Sequence, residues 1–426
     1  MRDTDGVIES SKAMDNAFRP RLRALETQWI ERAGQPALLL QDRLAIGARA
    51  VVVPQMLVPL LALCDGTRDV DALRAAYLLR TGIDLDRATV ERVVSHLDEA
   101  MMLESPRFEE AYRRALEEYR LAPGRAPFLA GTGYPADPSG LAELLNGYME
   151  KAAAVGDGVP SSGGAVRGVI CPHIDYDRGG LVYARVWDRA REAVAAADLF
   201  VVLGTDHAGA PGSITLTRQS YDTPIGILRT DAEAVEMVAE AVGDAAFAQE
   251  LNHRVEHSVE LAAVWIRFLS GAREIRMLPV LCGSFHPYTQ GEGRPEQDER
   301  WLAGLEALRR VAARDRTLVV AAADLAHMGP AFGDPSPMGA PERASLSASD
   351  AEMLDAICRG DADGFLEMLV AERDRRKICG LPPIYLMLRM LGDVVGERVA
   401  YEICPAPAGS VVSVAGILLS SRQRDA

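Results

Sequence analysis

The chain lacks the features that would place it in an oxidising compartment. Its six cysteines are scattered, with no C-x-x-C pair and no spacing typical of a disulfide framework. The first ten residues include Asp3, Asp5 and Glu9 but no apolar run, so they do not resemble a signal peptide. Since disulfide frameworks are typical of secreted proteins, these absences favour a cytoplasmic location.

The chain also lacks a membrane span and an excess of positive charge. Its two longest uncharged stretches are residues 50–64, which are too short to cross a bilayer, and residues 403–421, which Pro405 and Pro407 interrupt. A formal net charge of −15 argues against a partner with a phosphate backbone. We therefore expect no membrane and no nucleic-acid partner. With 426 residues, the chain is long enough for two or three domains with a large buried core.

Apolar periodicity and turn residues divide the chain into four predicted segments. Residues 1–35 are polar and are predicted to form a helical extension. Residues 36–105 have strand-like runs around three short helices, a pattern typical of a small winged-helix-like domain. Residues 106–125 are predicted to form a connector helix. Residues 126–422 alternate apolar strands with helices, which indicates an α/β domain with a mostly parallel or mixed sheet and helices on both faces.

Histidines are concentrated in the large predicted domain. Four of the seven lie at the ends of predicted strands or helices, each within three residues of a carboxylate, and they are His173, His207, His257 and His327. Ligands of open α/β sheets bind at the carboxyl ends of the strands, so these histidines are predicted to converge on one crevice. Histidine is the commonest side-chain metal ligand and a proton shuttle near neutral pH. The alternative is four unrelated core or surface histidines.

Seven short motifs follow one another in the same region. They are residues 130–138 (AGTGYPADP), Pro172-His173, residues 203–207 (LGTDH), residues 223–226 (TPIG), residues 253–260 (HRVEHSVE), residues 324–327 (DLAH) and residues 378–380 (ICG). In this order they resemble the Memo family, also called protein B of the AmmeMemoRadiSam group, over residues 126–422. The resemblance implies a fold like that of LigB-type class III extradiol dioxygenases, which hold Fe(II) with two histidines and a carboxylate.

The resemblance implies that His173 and His207 are metal ligands. The expected ion is Fe(II), with copper or zinc as alternatives. The third ligand position of the family falls on Ala326, whose methyl group cannot coordinate an ion. Two histidines alone would bind Fe(II) weakly, because the facial triad needs its carboxylate. Four nearby residues are candidate replacements, namely Asp175, Asp206, Asp324 and His327.

Further residues are candidates for catalysis and substrate binding. The resemblance implies that His257 is a base that takes a substrate proton. The other catalytic candidates are Glu256, Asp324 and His327, and the substrate-binding candidates are Asp175, Arg178, Asp206 and Cys379.

Each substrate-binding candidate has an alternative interpretation. Arg178 near the site would favour a carboxylate or phosphate group on the substrate, but a surface arginine is also possible. Asp175 and Asp206 are alternatively turn residues. Cys379 is either a nucleophile with a pKa lowered by the adjacent Arg376 and Lys377, or a buried structural cysteine.

The smaller predicted domain carries a second resemblance. Residues 63–70 (LCDGTRDV), followed by two helices, resemble the PqqD-like peptide-recognition fold over residues 36–105. Such domains bind a leader peptide as an added strand. DNA binding is disfavoured because no recognition helix is basic, whereas a structural or dimerising role stays open.

Together, the two resemblances imply a metal-dependent oxygenase or other redox enzyme. Its substrate would be a peptide or a small aromatic or thiol-bearing molecule, and the chain is also compatible with a homodimer. One alternative is a catalytically degenerate module that only binds a ligand or peptide. The other is a metal-assisted hydrolase, in which a bound water attacks the substrate.

Overall fold

The computed structural model describes residues 18–47, 50–155 and 164–422. The chain divides into two compact units, of which unit 1 ends at Glu118 and unit 2 begins at Tyr119.

Unit 1 combines a three-stranded antiparallel sheet with short helices. Its strands are β1 (Glu26–Arg32), β2 (Gln35–Gln41) and β3 (Val51–Pro54). Its helices are α1 (Val58–Leu61), α2 (Val70–Thr81), α3 (Arg87–Glu99) and α4 (Pro106–Leu121), the last of which continues into unit 2.

Of the helical extension predicted for residues 1–35, residues 1–17 lie outside the described residues, and the structure corrects the prediction in the part that follows. Residues 26–32 are strand β1, which pairs with β2 along its whole length. The turn between them consists of Ala33 and Gly34, both with positive φ (51° and 73°), as tight hairpin turns require. This hairpin overrides the helical preference of the polar sequence.

Local sequence explains the ends of two helices in unit 1. The carboxylates of Asp69 and Asp86 accept hydrogen bonds from the backbone N–H groups of Ala72 and Thr89, and so cap α2 and α3. Gly82 adopts a left-handed conformation (φ 73°) and ends α2.

Unit 2 is built on a mixed sheet with ten strands among the described residues. They are β4 (Val166–Cys171), β5 (Leu199–Asp206), β6 (Ile214–Leu216), β7 (Tyr221–Thr223), β8 (Gly226–Thr230), β9 (Arg276–Gly283), β10 (Thr317–Ala322), β11 (His327–Met328), β12 (Val394–Ala406) and β13 (Ser410–Ser421). The main order is β11-β13-β4-β10-β5-β9-β8-β7, with β12 beside β13 and β6 beside β9. In this sheet order, the four neighbouring pairs of the segment β4-β10-β5-β9-β8 are parallel. The pairs at its two ends, β13 with β4 and β8 with β7, are antiparallel.

Helices cover both faces of this sheet. They are α5 (Pro138–Val155), α6 (Tyr176–Arg189), α7 (Arg191–Ala196), α8 (Ala232–Val242), α9 (Ser258–Ser270), α10 (His286–Thr289), α11 (Glu299–Ala312), α12 (Ala340–Cys358), α13 (Ala362–Ala371) and α14 (Leu381–Leu391). Side chains of β5 alternate between two cores: Phe200 and Val202 pack with α6 and α9, whereas Val201 and Leu203 pack with α8 and α11–α14. The predicted α/β class with helices on both faces is confirmed.

The register of the central strands brings their carboxyl ends to one edge. Ala322 at the end of β10 pairs with Cys171 at the end of β4 and with Gly204 near the end of β5. Residues that follow these three strands therefore emerge beside one another. Within the described ranges, no helix has the length and apolar character that crossing a membrane requires.

Candidate metal centre

His173 follows β4 and is held by two neighbours from the β10 side. Its backbone N–H donates to Oδ1 of Asp324 at 2.7 Å, and its ring Nδ1 lies 2.9 Å from the carbonyl oxygen of Ala322. Burial lowers the pKa of His173 to about 4, although the charge of Asp324 opposes the shift. The ring is therefore neutral at pH 7. Its Nδ1–H donates to Ala322, which leaves the lone pair of Nε2 available to a ligand.

His207 follows β5 directly and is oriented by Glu256. The carboxylate of Glu256 accepts from the backbone N–H and the ring Nδ1 of His207, at 3.2 and 3.0 Å. It also accepts from the backbone N–H groups of His257 and Ser258. Burial alone would raise the pKa of Glu256, but the charges of the two histidines and their hydrogen bonds bring it well below its ordinary value. Glu256 is therefore a carboxylate that fixes Nδ1 of His207 as a donor.

His257 completes a cluster of three imidazole rings at the start of α9. Its Nδ1 lies 3.1 Å from Oε1 of Glu256, so one carboxylate contacts both rings. The ring of His257 stacks on that of His207 at 5.2 Å, and His173 meets both edge-on at 5.5 and 5.1 Å between centroids. The structure thus brings together three of the four histidines singled out from the sequence.

Cys379 joins this cluster from the loop before α14. Its Sγ lies 3.2 Å from Nε2 of His173, the ring nitrogen that makes no bond to Ala322. The prediction that Arg376 and Lys377 lower the pKa of Cys379 is wrong. Burial, followed by the negative charge of Asp324, raises the pKa of this thiol well above its ordinary value.

The two cationic neighbours of Cys379 are engaged elsewhere. Arg376 forms buried ion pairs with Asp350 and Glu372, and Lys377 pairs with Asp334 at 2.7 Å. Nearby carboxylates therefore compensate both positive charges, and neither charge lowers the pKa of the Cys379 thiol.

The donor set of the cluster fits a transition-metal ion. One potential ligand atom from each of His173, His207 and Cys379 lies within 4.8 Å of the others. Imidazole and thiolate donors at such spacing suit zinc, copper or iron. In a second group, formed by His207, Glu256 and His257, the potential ligand atoms also lie within 4.8 Å of one another. Its short contacts are the hydrogen bonds already described, an arrangement that commonly orients metal-binding histidines.

Asp324 connects two of the chain segments that meet at the cluster. Its Oδ1 accepts from the backbone N–H groups of His173 and Ile174 at 2.7 and 3.1 Å. Its carbonyl oxygen accepts from the backbone N–H of Gly380 at 3.0 Å. Asp324 is only 2% exposed, and its Oδ2 lies 3.8 Å from Nε2 of His173. Asp324, a candidate catalytic residue, thus acts on the cluster mainly by holding the backbone of His173 and Gly380 in place.

Among the described residues, neither Ala326 nor His327 adds a donor to the candidate metal-binding groups. Ala326 is fully buried, and its backbone N–H donates to Oγ of Ser413 at 3.0 Å. His327 lies in β11, where its Nδ1 is 3.1 Å from the carbonyl oxygen of Leu325 and its ring meets that of Phe332. Burial lowers the pKa of His327.

Asp206 is buried beside the cluster but is bonded to other groups. Both of its carboxylate oxygens accept from Nδ2 of Asn252 at 3.0 Å, and Oδ1 accepts from the backbone N–H of Ala208 at 3.1 Å. Burial raises the pKa of Asp206 to about 6. The contact with Ala208, two residues on, is the turn proposed as the alternative for this residue.

Asp175 and Arg178 form a pair at the start of α6. Asp175 caps the helix by accepting from the backbone N–H of Arg178 at 3.0 Å, and its Oδ2 also accepts from Nε of that arginine at 2.7 Å. The guanidinium of Arg178 reaches the carbonyl oxygen of Pro405 at 3.3 Å. The structure therefore does not bring this pair into the histidine cluster.

A cavity of about 250 Å³ adjoins the cluster. His207, Cys379 and Lys377 lie in its wall, together with His286 and Asp374, which the sequence patterns did not single out. Thr205 also lines the cavity, and its hydroxyl donates to the carbonyl oxygen of Cys379 at 3.0 Å. Only the position of Thr205 in the motif of residues 203–207 could have indicated this role.

Comparisons with known proteins agree with this architecture. The family model for Memo-like protein matches residues 125–418. A MEMO1 family protein of Aquifex aeolicus is 25% identical over 389 residues, which cover 89% of this chain and 95% of that protein. One from Methanosarcina barkeri is 26% identical over 295 residues, 68% of this chain and 97% of its own length. The Aquifex match therefore extends beyond the residues that the family model covers.

Proposed function

Since this chain belongs to the Memo-like protein family, we propose that it is a metal-dependent oxidoreductase with His173 and His207 as metal ligands. The observation that carries the proposal is the orientation of these two rings. In each, Nδ1 is bonded to a buried oxygen, that of Ala322 or Glu256, so that Nε2 is left for an ion. Fe(II) is the ion that we expect, with copper or zinc as alternatives.

The proposed roles of the remaining residues follow from their contacts. A bound redox-active ion would supply open positions for a substrate and dioxygen. His257 is the proposed base, because its side chain is 37% exposed and its Nδ1 contacts Glu256. Glu256 stabilises the charge that His257 gains when it takes a proton. Asp324 holds the backbone of His173 in place.

The cavity beside His207 and Cys379 limits the size of the substrate. At about 250 Å³, it suits a small aromatic or thiol-bearing molecule or a single side chain of a peptide. Because all six cysteines are free, we also propose that the protein works in the reducing cytosol.

Metal analysis tests this function. The protein is purified anaerobically, loaded separately with Fe(II), copper and zinc, and analysed for bound metal. We expect one ion per chain, and its loss in His173→Ala and His207→Ala. His96→Ala is the matched control, since His96 is an exposed residue of α3 in unit 1.

The outcomes separate the candidate functions. Absence of stoichiometric metal under every loading would contradict both the oxidoreductase and the hydrolase and leave the ligand-binding module. Metal that survives both histidine substitutions would contradict the ligand assignment. Consumption of dioxygen by the metal-loaded protein, measured with candidate aromatic and thiol substrates, distinguishes the oxidoreductase from the hydrolase.

For unit 1 we propose peptide binding at the edge of its sheet. In the described part of the chain, β1 pairs with β2 on one side and with no strand on the other. Trp29 on this strand is 55% exposed. An edge strand of this kind can accept an extended peptide as an added strand. Slower amide exchange in Glu26–Arg32 on addition of peptides encoded by neighbouring genes would support this role, and unchanged exchange with all of them would contradict it.

A further inference from the structure

The motif of residues 253–260 contains two chemistry-bearing residues outside the candidate metal centre. His253 begins the motif and Glu260 ends it, and among the described residues neither belongs to a candidate metal-binding group. Both residues are fully buried. Burial lowers the pKa of His253 to about 3, so its ring is neutral at pH 7. A buried carboxylate such as that of Glu260 needs a positive charge beside it, and Arg125 supplies that charge.

The guanidinium group of Arg125 contacts this segment at three residues. Its Nε donates to the carbonyl oxygen of His253 at 2.8 Å, and one terminal nitrogen donates to the carbonyl oxygen of Glu256 at 2.9 Å. The other terminal nitrogen donates to the carboxylate of Glu260. Because the guanidinium group is planar and rigid, these hydrogen bonds fix the three residues relative to one another.

Glu260 joins the chain that follows Arg125 to the first turn of α9. Its carboxylate accepts from the backbone N–H groups of Phe128 and Leu129, each at 2.9 Å, and from the hydroxyl of Tyr134. A buried ion pair is stable only when further hydrogen bonds satisfy its charged groups, and these contacts provide them. The pair of Arg125 and Glu260 therefore links residues 125–134 to the start of α9.

The position of Arg125 is itself set by the strand beside it. Its backbone N–H donates to the carbonyl oxygen of Ser220 at 2.7 Å, and its carbonyl oxygen accepts from the N–H of Asp222 at 3.0 Å. The guanidinium lies 4.9 Å from the centre of the Tyr221 ring, whose hydroxyl is 2.7 Å from Nδ1 of His253. Nε2 of His253 is bonded to a carbonyl oxygen of β6 and must donate, so Nδ1 accepts from Tyr221. Tyr221 thus supports both Arg125 and the start of the motif.

We infer that Arg125 is a positioning residue of the proposed metal centre, because it holds the segment that carries Glu256 and His257. Its hydrogen bond to the carbonyl oxygen of Glu256 fixes the backbone from which that carboxylate extends to His207. Its contact with Glu260 fixes the first turn of α9, and His257 lies at the start of that helix. Arg125 therefore acts on both imidazole rings through Glu256 and the start of α9. This inference rests on the proposed metal centre and deepens it.

Arg125→Lys is the test variant, because lysine keeps the charge that Glu260 requires but lacks the planar group that contacts three acceptors. We expect the affinity of the full chain for Zn²⁺, measured by competition with a chromophoric chelator, to fall about tenfold. In a protein that already carries Glu256→Gln, the same substitution should cause less than about a twofold further loss, since the link is already broken. Hydrogen exchange of the metal-free protein should show the backbone N–H of His207 exchanging faster in Arg125→Lys than in the wild-type protein.

Arg23→Lys is the matched control for a general loss of stability. Arg23 lies in unit 1, where its buried side chain pairs with Asp42 and donates to the carbonyl oxygen of Met101. It therefore has the same kind of buried ion pair and backbone contact as Arg125. We expect Arg23→Lys to lower the free energy of unfolding but to leave unchanged the affinity for Zn²⁺ and the exchange of the His207 N–H. An equal fall in affinity in both variants would overturn the positioning role.

The other failures are also distinguishable. If Arg125→Lys keeps the wild-type affinity and exchange, or loses as much affinity with Glu256→Gln as without it, the role of Arg125 is overturned and the metal centre stands. If the wild-type protein binds none of Zn²⁺, copper and Fe(II), the proposed function itself is overturned. Should Arg125→Lys fail to fold by circular dichroism, the double variant Arg125→Met/Glu260→Gln, which leaves neither charge of the pair buried alone, is measured in its place against the same outcomes.

Discussion

Glu256 holds His207 by two hydrogen bonds, one from the backbone N–H at 3.2 Å and one from the ring Nδ1 at 3.0 Å. The two residues are 49 positions apart in the sequence. The contact fixes both the position and the tautomer of the histidine, because an ionised carboxylate can only accept a hydrogen bond. The proposed metal centre would therefore depend on residues that need not touch an ion.

We expect Glu256→Gln to weaken metal binding by about 10–100-fold, the usual effect of losing such a support. The neutral amide keeps the size of the side chain but offers one acceptor oxygen instead of two. Affinity for Zn²⁺ is measured by competition with a chromophoric chelator. Glu236→Gln is the control, since Glu236 on α8 forms a surface ion pair with Arg218. Equal affinities of the wild-type and Glu256→Gln proteins would contradict this role.

Asp324→Ala is expected to lower the free energy of unfolding by about 2–5 kcal/mol, because two buried backbone N–H groups lose their acceptor. These are the N–H groups of His173 and Ile174. Urea denaturation of the metal-free protein provides the measurement. Asp324→Asn retains one oxygen acceptor and should lose less than half as much. A value for Asp324→Ala close to that of the wild-type protein would show that these hydrogen bonds contribute little.

Asp175→Ala should behave as the loss of a helix cap and not as the loss of a ligand. We expect the free energy of unfolding to fall by about 1 kcal/mol, since Asp175 caps α6. Affinity for Zn²⁺ should be unchanged. The matched control is Asp188→Ala, because Asp188 also lies on α6 but forms a surface ion pair with Arg191 of α7 and caps no helix. A fall in affinity with Asp175→Ala would restore this residue as a candidate ligand.

Asp374 should make the stability of the native state depend on pH. Burial raises its pKa from 3.8 to about 6, so the native state holds this proton more tightly than the unfolded state. The resulting stabilisation is fully present below pH 3.8 and is lost as the pH rises through about 6. Relative to Asp374→Asn, the wild-type protein should therefore lose stability as the pH rises from 3.8 to about 6, and the difference should change little at higher pH.

Denaturation of both proteins at a series of pH values measures this difference. Asparagine keeps an oxygen that can accept from the N–H of Ile378, so the comparison isolates the titration of the carboxyl group. A difference between the two proteins that is constant from pH 4 to pH 7 would refute the shift.

Strand ends in the central sheet were predictable, whereas strands that depend on pairing were not. The apolar runs before His173 and His207 predicted β4 and β5, because buried parallel strands read as continuous apolar sequence. The sequence pattern did not predict β12, in which Glu397 and Arg398 interrupt the apolar residues. Its conformation comes from antiparallel pairing with β13 along its whole length. The same holds for β1, which pairs with β2.

The candidate site residues also divide into those whose place the sequence predicted and those whose place depends on the tertiary structure. His173 and His207 follow strands, so their convergence followed from the fold class. Cys379 lies 206 positions from His173 in a loop with several residues of positive φ, and no local propensity predicts the path of such a loop. Asp175 is close to His173 in sequence, but the start of α6 uses its carboxylate as a cap.

The sequence by itself determined the α/β class, the edge of the sheet at which the candidate site lies and, apart from His327, the histidines that meet there. These are consequences of apolar periodicity and of position at strand ends, which are local properties. Only the tertiary structure decided that Glu256 orients His207, that Arg178 pairs with Asp175, and that a sulfur atom lies beside His173. Distances between side chains from different strands and loops depend on sheet register and on packing between the two cores, which are properties of the whole unit.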